Sequence, residues 1–95
     1  MQQIKKFKDL PWKDPSYEDP WYAGYDAPEP RCSGHRIYVP KDISLGSMAA
    51  AFTAAYKVGE TKVGLREWSG FSVVMEIGES AGQEIGWPHI HLLPK

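Results

Sequence analysis

Apolar residues first cluster along the chain in two short aromatic runs that predict strands. Residues 21–25 (WYAGY) and 34–39 (GHRIYV) are rich in aromatic and β-branched side chains, and each is followed closely by proline. Between them, residues 26–33 (DAPEPRCS) have the composition of a turn. This link is long enough for the two strands to pair antiparallel.

The next apolar pattern has a helical period. Apolar residues recur at steps of four, four and seven, which places them on one face of a helix: Met48, Phe52, Tyr56 and Val63. We predict that this face packs in the core and that Ser44 or Ser47 is the N-cap. Gly59 can end a helix, but the position of Val63 favours a helix that passes through it. The alanines in between form a flat face that can lie close to a sheet.

Two further strands complete the predicted architecture. Residues 70–77 alternate and are β-branched, residues 78–82 form a turn, and residues 85–93 read as the last strand, with Pro88 inside it. The order β-β-α-β-β predicts an α+β fold, with one main helix packed on an antiparallel sheet. We assign this domain to residues 21–95. The proline-rich residues 1–20 are expected to pack on it through Trp12 and Tyr17, and the alternative is a loose tail.

Composition restricts the classes of partner. The chain has 95 residues, of which 42% are hydrophobic and 24% charged, and its net charge of −1 gives no general attraction to nucleic acid or anionic membrane. Cys32 is the single cysteine, so no internal disulfide forms and a reducing compartment is expected. The N-terminus lacks the apolar stretch of a signal peptide, and no run is long enough to span a membrane. We therefore expect a cytoplasmic protein that binds neither membrane nor nucleic acid.

The histidines are the strongest candidates for chemistry. His89 and His91 are two residues apart on a predicted strand, so both side chains leave the same face. The glycine-bearing turn before them can present backbone N–H groups to an anion. This combination suits phosphorus chemistry, in which one imidazole attacks phosphorus and the other binds a phosphate oxygen. Two alternatives remain: a metal site with His35 as third ligand, and a pair without a chemical role.

Four blocks of sequence together resemble the histidine triad (HIT) superfamily. Residues 80–94 (SAGQEIGWPHIHLLP) are similar to its A-G-Q turn followed by alternating histidines. Residues 34–41 (GHRIYVPK) are similar to its G-H-x-φ-φ-φ-P-K strand, and residues 17–26 resemble its opening strands. The predicted helix and the 70–77 strand stand where the family has them. The resemblance covers residues 17–94.

The resemblance implies a nucleotide-binding protein, often a two-fold dimer, that hydrolyses or transfers a nucleotidyl group without a metal or other cofactor. The ligand would be a nucleotide or nucleoside phosphate. His89 matches the family's nucleophile, which forms a nucleotidyl-histidine, and His91 would contact the reacting phosphate. The resemblance also implies a set of substrate-binding residues: Gly82 and Gln83 at the phosphate, Asp26 at the ribose, and Trp87 as a pocket wall or core residue.

Departures from the family pattern support a second hypothesis. Trp87 stands in place of the first histidine, and Pro88 before His89 resembles the uridylyltransferase branch. Glu76 replaces a ligand-binding Asn, and Glu84 follows Gln83 where several members have a hydroxyl. The alternative is therefore a catalytically inactive module that binds a nucleotide or a protein partner.

Simpler structural roles are also open for several of these positions. Asp26 is equally suited to capping the turn before Pro28, and His35 is more typical of a structural hydrogen-bonding histidine. Arg36 and Lys41 are predicted to be solvated.

Overall fold

A computed structural model describes residues 3–83 and 85–95. Its strands are β1 (Tyr17–Glu18), β2 (Tyr22–Asp26), β3 (Arg36–Pro40), β4 (Phe71–Val74) and β5 (Ile90–Pro94), and its one α-helix is α1 (Leu45–Gly64). Single 3₁₀ turns lie at Phe7–Asp9 and Glu79–Ala81. The five strands form one antiparallel sheet in the order β1-β2-β3-β5-β4. The predicted α+β class, with one main helix on an antiparallel sheet, is confirmed.

The last strand is shorter than predicted. β5 starts at Ile90, so Pro88 lies before the paired part of the strand. Its missing backbone N–H therefore costs the sheet no hydrogen bond. β5 lies between β3 and β4, with Ile37 opposite His91 on one side and Val74 opposite His91 on the other. The histidine strand is therefore at the interior of the sheet, where both neighbours fix its register.

Side chains alternate across the sheet and build two cores. One face carries Ala23, Tyr25, Ile37 and Val39, which pack with Ile4, Leu10 and Trp87. The opposite face carries Tyr38, Ile90 and Leu92, which pack with Ala51 and Ala55 of α1. The helix thus covers one face, and residues from the N-terminal segment contribute to the core on the other.

The predicted packing face of the helix is wrong. The buried positions of α1 are Ser47, Ala51, Ala55 and Gly59. Phe52 and Tyr56 of the predicted apolar stripe are each 47% exposed. Small side chains let the helix lie close to the sheet, so the alanine face rather than the aromatic face meets the core. The helix does pass through Gly59, and Ser44 is its N-cap, accepting from the Ser47 N–H at 3.1 Å.

Gly59 is required by this close approach. A Cβ atom at Gly59 would lie 2.5 Å from the ring of Phe71, whereas a Cβ at Gly64 would meet nothing within 4 Å. We expect Gly59→Ala to lower the free energy of unfolding by about 1–3 kcal/mol through overpacking, despite the better helix propensity of alanine. Urea denaturation measures this change. Gly64→Ala is the matched control and should be neutral or stabilising, so equal effects of the two substitutions would contradict the packing described here.

No helix in the described ranges has both the length and the apolar character needed to cross a bilayer.

Candidate functional site

Three buried histidines share one cavity on the face of the sheet opposite the helix. His35 precedes β3, while His89 and His91 lie just before and within β5, and their exposed fractions are 5%, 5% and 6%. The ring centroids are 5.1 Å apart for His35 and His91 and 4.9 Å apart for His89 and His91. The cavity measures about 370 Å³ and is lined by all three. The pair predicted to share a face does so, and His35 joins it.

The surroundings of His89 fix its protonation pattern. Its Nδ1 lies 2.8 Å from the carbonyl oxygen of Trp87. A carbonyl oxygen only accepts, so Nδ1 carries the hydrogen and the lone pair of the neutral ring is on Nε2. Burial lowers the pKa of His89, which favours the neutral ring, although the bond to Trp87 acts in the opposite direction. The indole of Trp12 meets the imidazole edge to face at 5.1 Å. These contacts favour a neutral His89 with its hydrogen on Nδ1 and its lone pair on Nε2.

A chain of hydrogen bonds fixes His91 in the complementary form. The backbone N–H of Arg31 donates to His35 Nδ1 at 3.1 Å, so neutral His35 carries its hydrogen on Nε2. His35 Nε2 is 2.9 Å from His91 Nδ1, which therefore accepts. The hydrogen of neutral His91 is then on Nε2. Burial, reinforced by His89 and Arg31, lowers the pKa of His91 to about 4. His91 can donate one hydrogen bond to a ligand oxygen without being charged.

An ion pair lies at the same site. Arg31 Nη2 is 2.5 Å from Glu76 Oε1, and the same carboxylate oxygen is 3.9 Å from His91 Nε2. Arg31 lines the cavity from the link between β2 and β3. Glu76 follows β4 and its side chain is 11% exposed. A cation and an anion thus meet beside the imidazole that is suited to hold a phosphate oxygen.

The glycine turn lies before β5 as predicted, but only Gly82, and not the side chain of Gln83, faces the cavity. Gly82 lines the cavity and has a φ of +98°, a conformation that favours glycine. The side chain of Gln83 does not line the cavity. Its Oε1 accepts from the Gly78 N–H at 2.7 Å, and its Nε2 donates to the Ile85 carbonyl at 2.8 Å. Gln83 therefore braces the turn, and Gly82 supplies the surface that a ligand would meet.

Trp87 is a core residue whose backbone serves the site. It is 4% exposed, packs with the N-terminal segment, and donates its indole N–H to the Pro40 carbonyl at 2.8 Å. Its ring does not line the cavity. Replacing the first histidine of the family pattern by tryptophan therefore leaves intact the carbonyl that orients His89.

Asp26 does not line the cavity of the three histidines. Strand alternation directs it, with Gly24 and Tyr38, to a surface beside Arg36 and Val58 on the helix side of the sheet. The histidine cavity is instead lined by the three residues that follow it, Ala27, Pro28 and Glu29. Asp26 ends β2, so the one-residue step from strand to link decides which side chain faces the cavity. Glu84, which departs from the family pattern, lies outside the described residues.

Among the cavity residues that the sequence did not indicate are Trp12, Glu29 and Arg31. Trp12 precedes the domain as we bounded it, and nothing local indicates that it reaches the histidines. Arg31 carried a weak signal, because it is the only basic residue in the link 26–33. The predicted hydrogen-bonding role of His35 is confirmed by its bonds to Arg31 and His91.

Within residues 3–83 and 85–95, no group of three or more His, Cys, Asp or Glu side chains is placed to hold an ion. The bond between His35 Nε2 and His91 Nδ1 also occupies one nitrogen of each ring.

Solved structures of HIT proteins resemble this chain in fold. No family model and no curated protein matches the sequence. The C. elegans NitFhit protein is 26% identical, with a TM-score of 0.70 over 83% of this chain and 21% of its own. A HIT family protein from Bacillus anthracis is 23% identical, with a TM-score of 0.73 over 85% and 62%. A HIT family hydrolase from Legionella pneumophila is 24% identical, with a TM-score of 0.67 over 81% and 76%.

These similarities confirm the resemblance at the level of fold: the chain has the HIT-like α+β fold. It spans well under two thirds of NitFhit and slightly less than two thirds of the Bacillus protein.

Proposed function

We propose that this chain binds a nucleoside phosphate in the histidine cavity and hydrolyses or transfers the nucleotidyl group through His89. The observation that carries the proposal is the set of hydrogen bonds that assigns complementary tautomers to His89 and His91. One ring has its lone pair on Nε2 and the other its hydrogen on Nε2, and both line one cavity. A nucleophile beside a neutral hydrogen-bond donor is the arrangement that attack on phosphorus requires.

The proposed reaction has two displacements at phosphorus. In the first, the lone pair of His89 Nε2 forms an N–P bond as the bond from phosphorus to the leaving group breaks. The leaving group keeps that electron pair and takes a proton from solvent. The positive charge that develops on the ring is stabilised by the Trp87 carbonyl at Nδ1. In the second, water or another acceptor attacks phosphorus and loses a proton, and the N–P electron pair returns to Nε2. His91 Nε2–H donates to a phosphate oxygen in both steps.

A second function, binding without turnover, is favoured by a different observation. The Glu76 carboxylate lies 3.9 Å from His91 Nε2, where it repels a phosphate oxygen. A phosphate held at His91 for attack by His89 would meet this repulsion directly, so the carboxylate counts against turnover. With this second function, the chain would bind a nucleotide or a protein partner and would form no covalent adduct.

Single-turnover measurements separate the two functions. The protein is mixed in excess with phosphoramidates, dinucleoside polyphosphates and nucleotide sugars, with and without Mg²⁺, and released nucleotide is followed by chromatography. Release without metal supports nucleotidyl transfer. Saturable binding of the same compounds with no release supports the binding module.

We also propose that two copies associate through the aromatic face of α1. Phe52 and Tyr56 are about half exposed, and the Tyr56 ring packs at 6.0 Å on Phe71 of the edge strand β4. An apolar face continuous with a sheet edge suits pairing with an identical surface. Sedimentation velocity should give a dimer that Phe52→Glu converts to a monomer. Leu65→Glu, at an exposed position beyond the helix, is the control, and a monomeric native protein would refute the pairing.

We propose that the protein is located in the cytoplasm, because a single cysteine fits a reducing compartment. We propose a small phosphate ligand rather than nucleic acid, because 11 basic and 12 acidic residues leave no cationic excess.

A further inference from the structure

The Glu76 carboxylate is surrounded by the groups that would bind a phosphate. Oε1 is paired with the Arg31 guanidinium at 2.5 Å and lies 3.9 Å from His91 Nε2, which carries a hydrogen. The other carboxylate oxygen, Oε2, lies close to Gly82, where an added Cβ would collide with it. A guanidinium, an imidazole N–H and a closely approaching glycine backbone are a typical set of ligands for an anion.

Arg31 is held at this place from two directions. Its backbone N–H is bonded to His35 Nδ1, which in turn connects to His91, and its side chain is bonded to Glu76. The backbone bond does not depend on the carboxylate. If Glu76 moves away, the link that carries Arg31 stays fixed to the histidines and the guanidinium stays within reach of the cavity.

We propose that Glu76 is a built-in competitor for the anion subsite, and that Arg31 is the cation for which the carboxylate and an incoming phosphate compete. The proposal rests on the proposed function only in naming the phosphate of a nucleotide as the competitor. Binding then exchanges one anion for another at Arg31. Phosphate-bearing ligands must displace Glu76, whereas an uncharged nucleoside need not.

This exchange makes the subsite selective by charge. A ligand whose phosphate forms a bidentate pair with Arg31 and accepts from His91 replaces every contact that the carboxylate loses. A weaker or singly bonded anion does not. Removing the charge of Glu76 while preserving its shape should therefore strengthen binding of every phosphate-bearing ligand.

Glu76→Gln provides the direct test. Binding of inorganic phosphate and of the four nucleoside 5′-monophosphates is measured by calorimetry, with the four nucleosides beside them. We expect affinities for the phosphate-bearing ligands to rise about ten-fold or more, since like charges at about 4 Å interact strongly near a protein surface. Affinities for the nucleosides should stay the same. Glu76→Ala, measured in parallel, covers a failure of the glutamine variant to fold and should show the same selective rise.

Matched variants identify the cause. Glu67→Gln removes a carboxylate that is paired with Lys62 at 3.0 Å near the end of α1, and it should leave all affinities unchanged. Arg31→Gln in the Glu76→Gln background should abolish the rise, because the cation for which both anions compete is then missing. A rise that survives in the double variant overturns the assignment of Arg31.

The remaining outcomes separate this proposal from the proposed function. Unchanged or weaker phosphate affinity in both Glu76 variants overturns the competitor, even if the native protein turns over nucleotides. An equal rise for nucleosides and nucleotides also overturns it, since the cause would then be space rather than charge. A selective rise in a protein that never turns over supports the competitor and removes the enzymatic function.

Discussion

His89→Gln is expected to abolish nucleotidyl release while leaving the protein folded. Glutamine fills much of the space of the imidazole and can donate to the Trp87 carbonyl that now bonds His89 Nδ1. It has no lone pair able to attack phosphorus at neutral pH. We expect the single-turnover rate to fall about a thousand-fold or more, the scale on which removing a nucleophile acts. The measurement is release of nucleotide from whichever substrate the native protein turns over.

Retained binding is the control for this variant. The affinity of His89→Gln for the product nucleotide should stay within about three-fold of the native value, because His91, Arg31 and Gly82 are unchanged. A rate within about ten-fold of the native rate would show that His89 is not the nucleophile, and the assigned chemistry would be wrong.

Lowering the pH should reduce the free energy of unfolding already at pH values above those at which most carboxylates titrate. Burial lowers the pKa of His91 to about 4 from an ordinary value near 6.5, with His89 and Arg31 reinforcing the effect, and burial also lowers the pKa values of His89 and His35. Between pH 6.5 and 4 the unfolded chain thus binds more protons than the folded one. The stability from the neutral imidazoles is complete above pH 6.5 and is lost as the pH falls.

The expected size of this loss is measurable. One unit of pKa difference corresponds to about 1.4 kcal/mol, so His91 alone should contribute a decrease of about 2–3 kcal/mol between pH 7.5 and 4.5. Urea denaturation at several pH values in this window gives the free energy of unfolding directly. His91→Gln, which cannot be protonated, should show a clearly smaller decrease. A native stability that is constant down to pH 4.5 would contradict the neutral, buried state of the three histidines.

Periodicity predicted the elements well but misassigned the face of the helix. The steps from Met48 to Phe52 and Tyr56 do lie on one side of α1, yet that side faces outward. Hydrophobic spacing identifies a face but does not tell whether it meets the chain's own sheet or another surface. The close approach of Gly59 to Phe71 is what selects the alanine face, and it depends on a contact between residues distant in sequence.

In the site, too, features that depend on neighbouring residues could be predicted, and features that depend on distant contacts could not. Two-residue spacing placed His89 and His91 together because strand periodicity is local. The face of the sheet on which Asp26 lies could not be predicted, because a shift of one residue in β2 moves every side chain to the opposite face. Trp12 and Arg31 enter the cavity through the path of the N-terminal segment and of a turn, which no periodicity describes.

Detection of a covalent adduct on His89 tests the central claim most directly. The protein is mixed with a substrate identified by the single-turnover panel, quenched in alkali to preserve an N–P bond, and analysed by intact and peptide mass spectrometry. We predict a mass increase of one nucleotidyl group, carried by the peptide containing His89 and absent in His89→Gln. Rapid release of nucleotide with no adduct at any time, or with the adduct on His35 or His91, would contradict nucleophilic attack by His89.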